Sequence, residues 1–311
     1  MDILVTGANG LLGQKLVALL LPLPGVRLLA TGRGPSRLAA WFPALRYCPL
    51  DVTDAAQVQR VLARERPTHV IHTAALTQVD DCELRPEECW QQNVTAVQHL
   101  ARACANLGAH LTHLSTDFIF NGQHGPLAED ARPDPLSQYG RSKLAAEQAV
   151  QTMPGLRWAI ARTVLVYGTV LGGGRSNLVQ WVRDSLSKGQ SIKVVDDQWR
   201  TPTLAEDLAL GCYLLARRQA RGIYHLSGPE LLTPYQMARQ VADYFGLDAG
   251  LLERVDASTF SQPGQRPART GFVIDKARRE LGFRPHPFAE GIALLTGTKK
   301  PAGSANGFLL L

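Results

Sequence analysis

Paired cysteine spacing is what this chain most plainly lacks. Its five cysteines (Cys48, Cys82, Cys89, Cys104 and Cys212) include no C-x-x-C and leave one unmatched. Scattered in this way, they argue against a disulfide framework and point to a reducing compartment. Metal-ligand spacing is missing as well. There is no H-E-x-x-H, and His69/His72 and His110/His113 each fall three apart on an expected strand, which sends the two rings to opposite faces. No metal is expected. Charge comes without blocks: 33 Lys and Arg against 27 Asp and Glu give a net +6 with no long run of one sign. Nucleic acid is therefore not an expected partner, whereas an anionic small molecule suits the balance. Long apolar runs are absent too, since residues 16–23 are short and interrupted by Pro22. No membrane span is expected. Met1 leads straight into an apolar strand rather than a basic leader, so the cytoplasm is the expected location.

What is present reads as an α/β protein. Hydrophobic residues are 45% and charged residues 19% of 311 positions, enough for one large core or two modest ones. Strand character falls at 2–6, 26–31, 45–50, 68–73, 110–115 and 158–163, with helical periodicity at 11–21, 55–64 and 86–107. Such alternation with short links predicts a Rossmann-type doubly wound parallel sheet, covered on both faces and joined by right-handed crossovers. The second half is less regular. A Gly172-Gly173-Gly174 loop precedes a helix carrying Leu178, Trp181 and Val182; a strand at 192–195, a helix at 204–216, a strand at 222–226 and a helix at 234–245 follow. The expected division is a dinucleotide-binding domain over 1–168 and a smaller, mainly substrate-binding C-terminal domain over 169–298. Parts of the latter near 203–226 should return to the sheet, and an irregular tail spans 299–311.

Three local patterns carry chemistry. The first is Gly7-Ala8-Asn9-Gly10-Leu11-Leu12-Gly13, which follows the first strand and opens the first helix. Glycines permit a tight turn there and let backbone N–H groups at the helix N-terminus approach a pyrophosphate. Gly7, Gly10, Leu11, Leu12 and Gly13 are therefore candidate cofactor contacts. The end of the second strand decides which cofactor. An acidic residue there would hold the ribose 2′-hydroxyl of NAD, but Gly32-Arg33 occupies the place, with Arg37 four residues on. A guanidinium pairs instead with a 2′-phosphate, so NADP(H) is the preferred expectation and NAD(H) the alternative.

The other two patterns are Leu114-Ser115-Thr116-Asp117, closing a strand, and Tyr139-x-x-x-Lys143, opening a helix. At i and i+4, Tyr139 and Lys143 share a helix face. A free tyrosine has a pKa of about 10, and bringing it near neutrality corresponds to roughly 4 kcal/mol. A lysine charge about 4 Å away supplies roughly that much at an effective dielectric near 20. Lys143 is thus expected to acidify Tyr139 and to hold the nicotinamide ribose with its remaining donors. Thr116 is expected to donate to a substrate oxygen that Tyr139 protonates as hydride reaches the adjoining carbon.

From Met1 to about Ile292 the chain resembles the extended short-chain dehydrogenase/reductases, and among them it is most similar to the dTDP-4-dehydrorhamnose reductase family. The resemblance rests on Gly7 to Gly13, Ala74-Ala75, Asn93, the passage from Ser115 to Gly122, and Pro135-Leu136 before Tyr139-Gly140-Arg141-Ser142-Lys143. It continues through Arg162-Thr163, Val166-Tyr167-Gly168, Pro202-Thr203, Glu206-Asp207-Leu208-Ala209, Tyr224-His225-Leu226 and Arg266-Pro267. It implies the catalytic trio Thr116, Tyr139 and Lys143, with cofactor contacts from the glycine loop, Asp51-Val52, Ala74-Ala75 and also Tyr139 and Lys143. It also implies a nucleotide-diphosphate sugar near Asp117, Asn177, Gln198 and Arg266, and hence NADPH-dependent reduction of a 4-keto nucleotide sugar in dTDP-rhamnose biosynthesis.

Departures from that pattern matter. Leu165 stands where rhamnose-forming members commonly show a tryptophan, which leaves the sugar open. Lys15 stands where some bacterial members carry a glutamate of a metal-bridged dimer, so Mg²⁺ is not expected and a homodimer is left open. Phe118 replaces the glutamate that dehydratases carry after Thr-Asp. An epimerase is one alternative, because the same Tyr and Lys can oxidise and then re-reduce a sugar. The chain also resembles the regulatory beta subunit of methionine adenosyltransferase, an NADP-binding partner protein, which gives an alternative of another class.

Overall fold

The computed structural model describes residues 1–173 and 177–296; Gly174, the end of the expected C-terminal domain and the expected 299–311 tail lie outside the described residues. In chain order the first half contains β1 (Asp2–Thr6), α1 (Leu11–Leu20), β2 (Arg27–Gly32), β3 (Tyr47–Pro49), α2 (Ala55–Glu65), β4 (His69–His72), α3 (Val79–Leu84), α4 (Pro86–Trp90), α5 (Ala96–Leu107), β5 (His110–Thr116), α6 (Gln138–Gln151) and β6 (Arg157–Thr163). The second half contains β7 (Val166–Tyr167), α7 (Leu178–Leu186), β8 (Ile192–Val195), β9 (Thr203–Leu204), α8 (Ala205–Arg217), β10 (Gly222–His225), α9 (Pro234–Phe245), β11 (Leu252–Val255), α10 (Asp275–Leu281) and α11 (Phe288–Thr296).

Seven strands form one parallel sheet in the order β10-β6-β5-β4-β1-β2-β3. Its strands are largely buried on both faces because both faces are covered, although β4 and β5 also bury histidines and threonines. Ile3, Val5, Ile71 and Ala159 pack with Leu16, Val17 and Leu20 of α1 and Leu208, Cys212 and Leu215 of α8. On the other side Leu4, Val70, Leu111 and Ile160 pack with α2, α5 and α6 through Val58, Leu62, Val97, Leu100, Ala146 and Val150. Strand order reverses between β1 and β4, which opens a crevice at the carboxyl ends of the strands. A separate core joins Val179, Val182 and Leu186 of α7 to Met237 and Val241 of α9 and to Phe288 and Ile292 of α11. The segment from β9 to β10 turns back to the large sheet, with α8 lying on α1's face and β10 pairing parallel to β6.

One element differs from expectation. The periodicity over 86–107 predicts a single helix, whereas α4 and α5 are joined by a π-helical turn at Gln91–Thr95. Asn93 lies in that turn and is held by buried hydrogen bonds to neighbouring elements, a common setting for such turns near functional sites.

Candidate active site

The chain leaves β1 through Gly7, at φ +69°, where a Cβ would stand 2.7 Å from the Ala74 amide nitrogen and 2.8 Å from Thr73 Oγ1. A Cβ on Gly13 would meet the Gly7 carbonyl oxygen at 2.3 Å, so α1 lies directly on the turn. Gly10 caps α1 without a side chain, which leaves the first N–H groups, including those of Leu11 and Leu12, at the positive end of a ten-residue helix. This cradle, bordered by half-buried Ala74 and Ala75 beyond β4, has the shape and polarity to receive a dinucleotide pyrophosphate.

Arg33 and Arg37 lie exposed on the loop after β2. Asn9 ties that loop to the glycine turn, donating to Pro35 O at 3.0 Å and accepting from Arg37 N at 2.9 Å. Tyr47 braces it from β3 by donating to Gly32 O and Gly34 O at 3.1 and 3.0 Å. Neither Asn9 nor Tyr47 was singled out from the sequence. The Asp51 carboxylate accepts from Thr53 N and Oγ1 at 2.9 and 2.7 Å, shaping its own turn, and Val52 is buried in the core.

Thr116 closes β5 and Tyr139 opens α6. Ser137 starts that helix by accepting from Gly140 N at 3.1 Å, while Glu83 accepts from Gln138 N at 2.6 Å. Gly140 sets how close the helix comes, because a Cβ there would be 2.2 Å from the Phe118 carbonyl oxygen. The close approach brings Tyr139 over the end of β5, its ring edge-on to Phe118 at 5.7 Å. The phenol packs with Cys82 and Cys89 and against Leu76, Val79 and Phe118. Burial pushes its pKa above the ordinary value; a hydrogen bond with Thr116 draws it partly back, and the Asp117 carboxylate pushes it further up.

Lys143, fully buried, donates to Leu114 O at 2.6 Å and lies 3.5 Å from His113 Nε2. Burial lowers its pKa to about 8, opposed by Glu147 and by the thiols Cys89 and Cys82. The expectation of a Tyr139 phenol acidified by Lys143 is therefore corrected. The ammonium donates to the β5 backbone, and burial is the main influence on the phenol, whose pKa it raises rather than lowers. Beneath the Tyr139 ring, Cys82 and Cys89 interact with each other, which lowers Cys89 and raises Cys82. The pair carries no motif in the sequence, because six residues lie between the two cysteines and they belong to different helices. Asn93 joins the layers by accepting from Leu76 N at 2.8 Å and donating to Leu76 O at 2.9 Å and Ser142 Oγ at 3.0 Å.

The residues implied for a sugar nucleotide are not one cluster. Asp117 is buried, accepts from Thr116 at 3.1 Å and from Thr270, and lies 3.7 Å from Arg200 Nε. Burial raises its carboxyl, and the Arg200 guanidinium opposes the rise. Arg200, which no motif flagged, also donates to Gln198 Oε1 at 3.3 Å and Pro267 O at 2.6 Å, so Gln198 joins Asp117 through it. Arg266 makes a bidentate pair with Asp80 at 3.1 and 2.8 Å. Asn177 caps α7, accepting from Gln180 N at 3.4 Å and donating to Gly168 O at 2.5 Å. Lys15 pairs with Glu206 at 2.8 Å. Among the described residues no three His, Cys, Asp or Glu side chains gather to hold a metal, and no helix is long and apolar enough to cross a membrane.

Comparison with known proteins gives a consistent picture. The RmlD substrate binding domain model matches residues 1–299. The dTDP-4-keto-6-deoxy-D-glucose reductase of Streptomyces niveus is 34% identical over 283 residues, covering 91% of each chain. Methionine adenosyltransferase 2 subunit beta of Xenopus tropicalis is 34% identical over 298 residues, covering 93% of this chain and 85% of that protein. The dTDP-4-dehydrorhamnose reductase of Bacillus anthracis, solved in complex with NADP, has the same fold with a TM-score of 0.81 at 27% identity, covering 95% and 98% of the two chains.

Proposed function

Because the chain belongs to the RmlD substrate binding domain family, we propose that it is an NADPH-dependent reductase of a 4-keto nucleotide-diphosphate sugar. The oxidoreductase class accords with the reductases among its relatives. The observation that carries the reading is the meeting of Thr116 with the buried Tyr139 phenol at the end of β5, with only β4 between that strand and the one that leads into the glycine cradle.

A nicotinamide held in this cleft would supply hydride to the keto carbon. Thr116 donates a hydrogen bond to the keto oxygen, and Tyr139 delivers its proton there as negative charge builds. Reduction needs a phenol that keeps its proton until the oxygen becomes a strong base, and burial of Tyr139 favours that state. Lys143 holds the nicotinamide ribose. Gly7 to Gly13 receive the pyrophosphate, Arg33 and Arg37 favour the 2′-phosphate, and Asp51, Val52, Ala74 and Ala75 border the rest of the cofactor. The region over 169–298 serves mainly the substrate. Asp117 and Gln198, linked by Arg200, lie on the sugar side together with Asn177, and Arg266 meets the substrate pyrophosphate by exchanging Asp80 for phosphate oxygens.

A panel of dTDP-, UDP- and GDP-linked keto-sugars tests the proposal. One NADPH should be oxidised per dTDP-4-keto-6-deoxyhexose reduced, with NADH the poorer donor. A second reading, an NADP-binding partner protein without turnover, is favoured by the 34% identity to the Xenopus beta subunit. Tight NADPH binding with no oxidation across the whole panel would replace the first reading with the second.

A further inference from the structure

We propose that the stacked pair His72–His113 is the positioning element of Lys143, with His113 Nε2 accepting one of its ammonium protons beneath the cofactor cleft. The proposal rests on Lys143 serving the cofactor, as in the function above.

His72 of β4 and His113 of β5 are register partners, and their rings stack at 5.6 Å with 23° between planes. His113 Nε2 lies 3.5 Å from Lys143 Nζ, and the Leu114 carbonyl is the ammonium's other partner at 2.6 Å. On the far side His72 Nδ1 lies 2.7 Å from Thr6 Oγ1. Thr6 Oγ1 accepts from Thr73 N at 3.2 Å, and Thr73 Oγ1 donates to Thr6 O at 2.7 Å. Thr73 Oγ1 is also an atom that a Cβ on Gly7 would strike. A row of contacts, buried from Lys143 through the two imidazoles to Thr6, therefore leads to half-buried Thr73 beside the turn of the glycine loop.

Chemistry explains why imidazoles stand in that row. An ammonium has three protons to place and accepts nothing, so a buried one with a single carbonyl acceptor is costly. Both histidines are held neutral, by burial first and by the Lys143 charge second. In a neutral His113 the Nε2 facing an ammonium carries the lone pair, so Nδ1 carries the hydrogen. Other groups acting on Lys143 are Glu147 of α6, itself paired with Arg162 of β6, and the thiols Cys82 of α3 and Cys89 of α4.

Two amide substitutions in the full chain separate positioning from space-filling. The carbonyl oxygen of His113→Gln can reach the place of Nε2, while His113→Asn stays polar but stops at the place of Nδ1. The readouts are the alkaline limb of NADPH affinity, followed by nucleotide fluorescence, and the alkaline limb of kcat. Removing an acceptor disfavours the ammonium, so the limb in His113→Asn should move to lower pH by about one unit, while His113→Gln keeps the wild-type limb. A wild-type limb in His113→Asn, or an equal displacement in both variants, overturns the proposal. The affinity readout needs no sugar substrate, so an absence of turnover would count against the reductase reading without touching this test.

Discussion

Histidines show at the scale of single residues how burial overrides what a spacing pattern can tell. His72, His113 and His225 are buried, and desolvation lowers each well below the ordinary imidazole value, to about 3 for His72 and His225. In the unfolded chain these rings take up protons near pH 6.5, whereas in the fold they do so only far below it. The unfolded state thus binds more protons beneath pH 6.5, and stability must fall as pH drops from 6.5 toward 3. Asp117 and Asp207, raised by burial, act with the opposite sign in the carboxylate range. Denaturant unfolding at pH 7.5 and 5.5 should differ by on the order of 1 kcal/mol per buried imidazole, with lower stability in acid. Equal stability at the two values would mean that these rings are not held neutral. The sequence placed Thr116, Tyr139 and Lys143 correctly relative to a strand end and a helix start, because strand and helix periods are local. It could not show that Lys143 turns to Leu114 O, that Tyr139 is raised rather than lowered, or that Arg266 is matched by Asp80, since those depend on partners distant in sequence.

Between elements, the contact with most at stake joins α6 to β6. Arg162 meets Glu147 in two hydrogen bonds of 2.9 and 2.8 Å, both side chains being essentially inaccessible to solvent. Glu147 lies one helical turn from Lys143, so the pair anchors the helix that carries the proposed catalytic side chains. Glu147→Ala leaves a buried guanidinium unpaired and should lower unfolding free energy by about 3–5 kcal/mol, read from denaturant melts. A loss below about 1 kcal/mol would show that the pair is replaceable by solvent. The strands of the large sheet were legible as apolar runs, and α1, α2 and α9 as amphipathic periods. The short α3, β7 and β9 were not, because a few residues carry no period of their own. The π-helical turn at Gln91–Thr95 was hidden for the converse reason: the helical pattern runs through it, and only the buried contacts of Asn93 reveal the break.

For the whole molecule, alternation of strand and helix was enough to foresee a doubly wound sheet, and the reversal of strand order between β1 and β4 then fixes where a cofactor can enter. Less visible was the way remote segments converge on one phenol. Tyr139 is enclosed by Cys82 of α3, Cys89 of α4 and Phe118 after β5, and its helix is admitted by the missing side chain of Gly140. Its burial pushes the phenol's pKa up, where a neighbouring cation would draw it down, and in the proposed reaction this keeps the proton in place until the keto oxygen becomes basic. The most direct test of that claim is Tyr139→Phe, assayed with NADPH and a dTDP-4-keto-6-deoxyhexose. NADPH affinity should stay close to wild type while kcat falls by about a hundredfold or more. Near-normal turnover with intact cofactor binding would contradict the account.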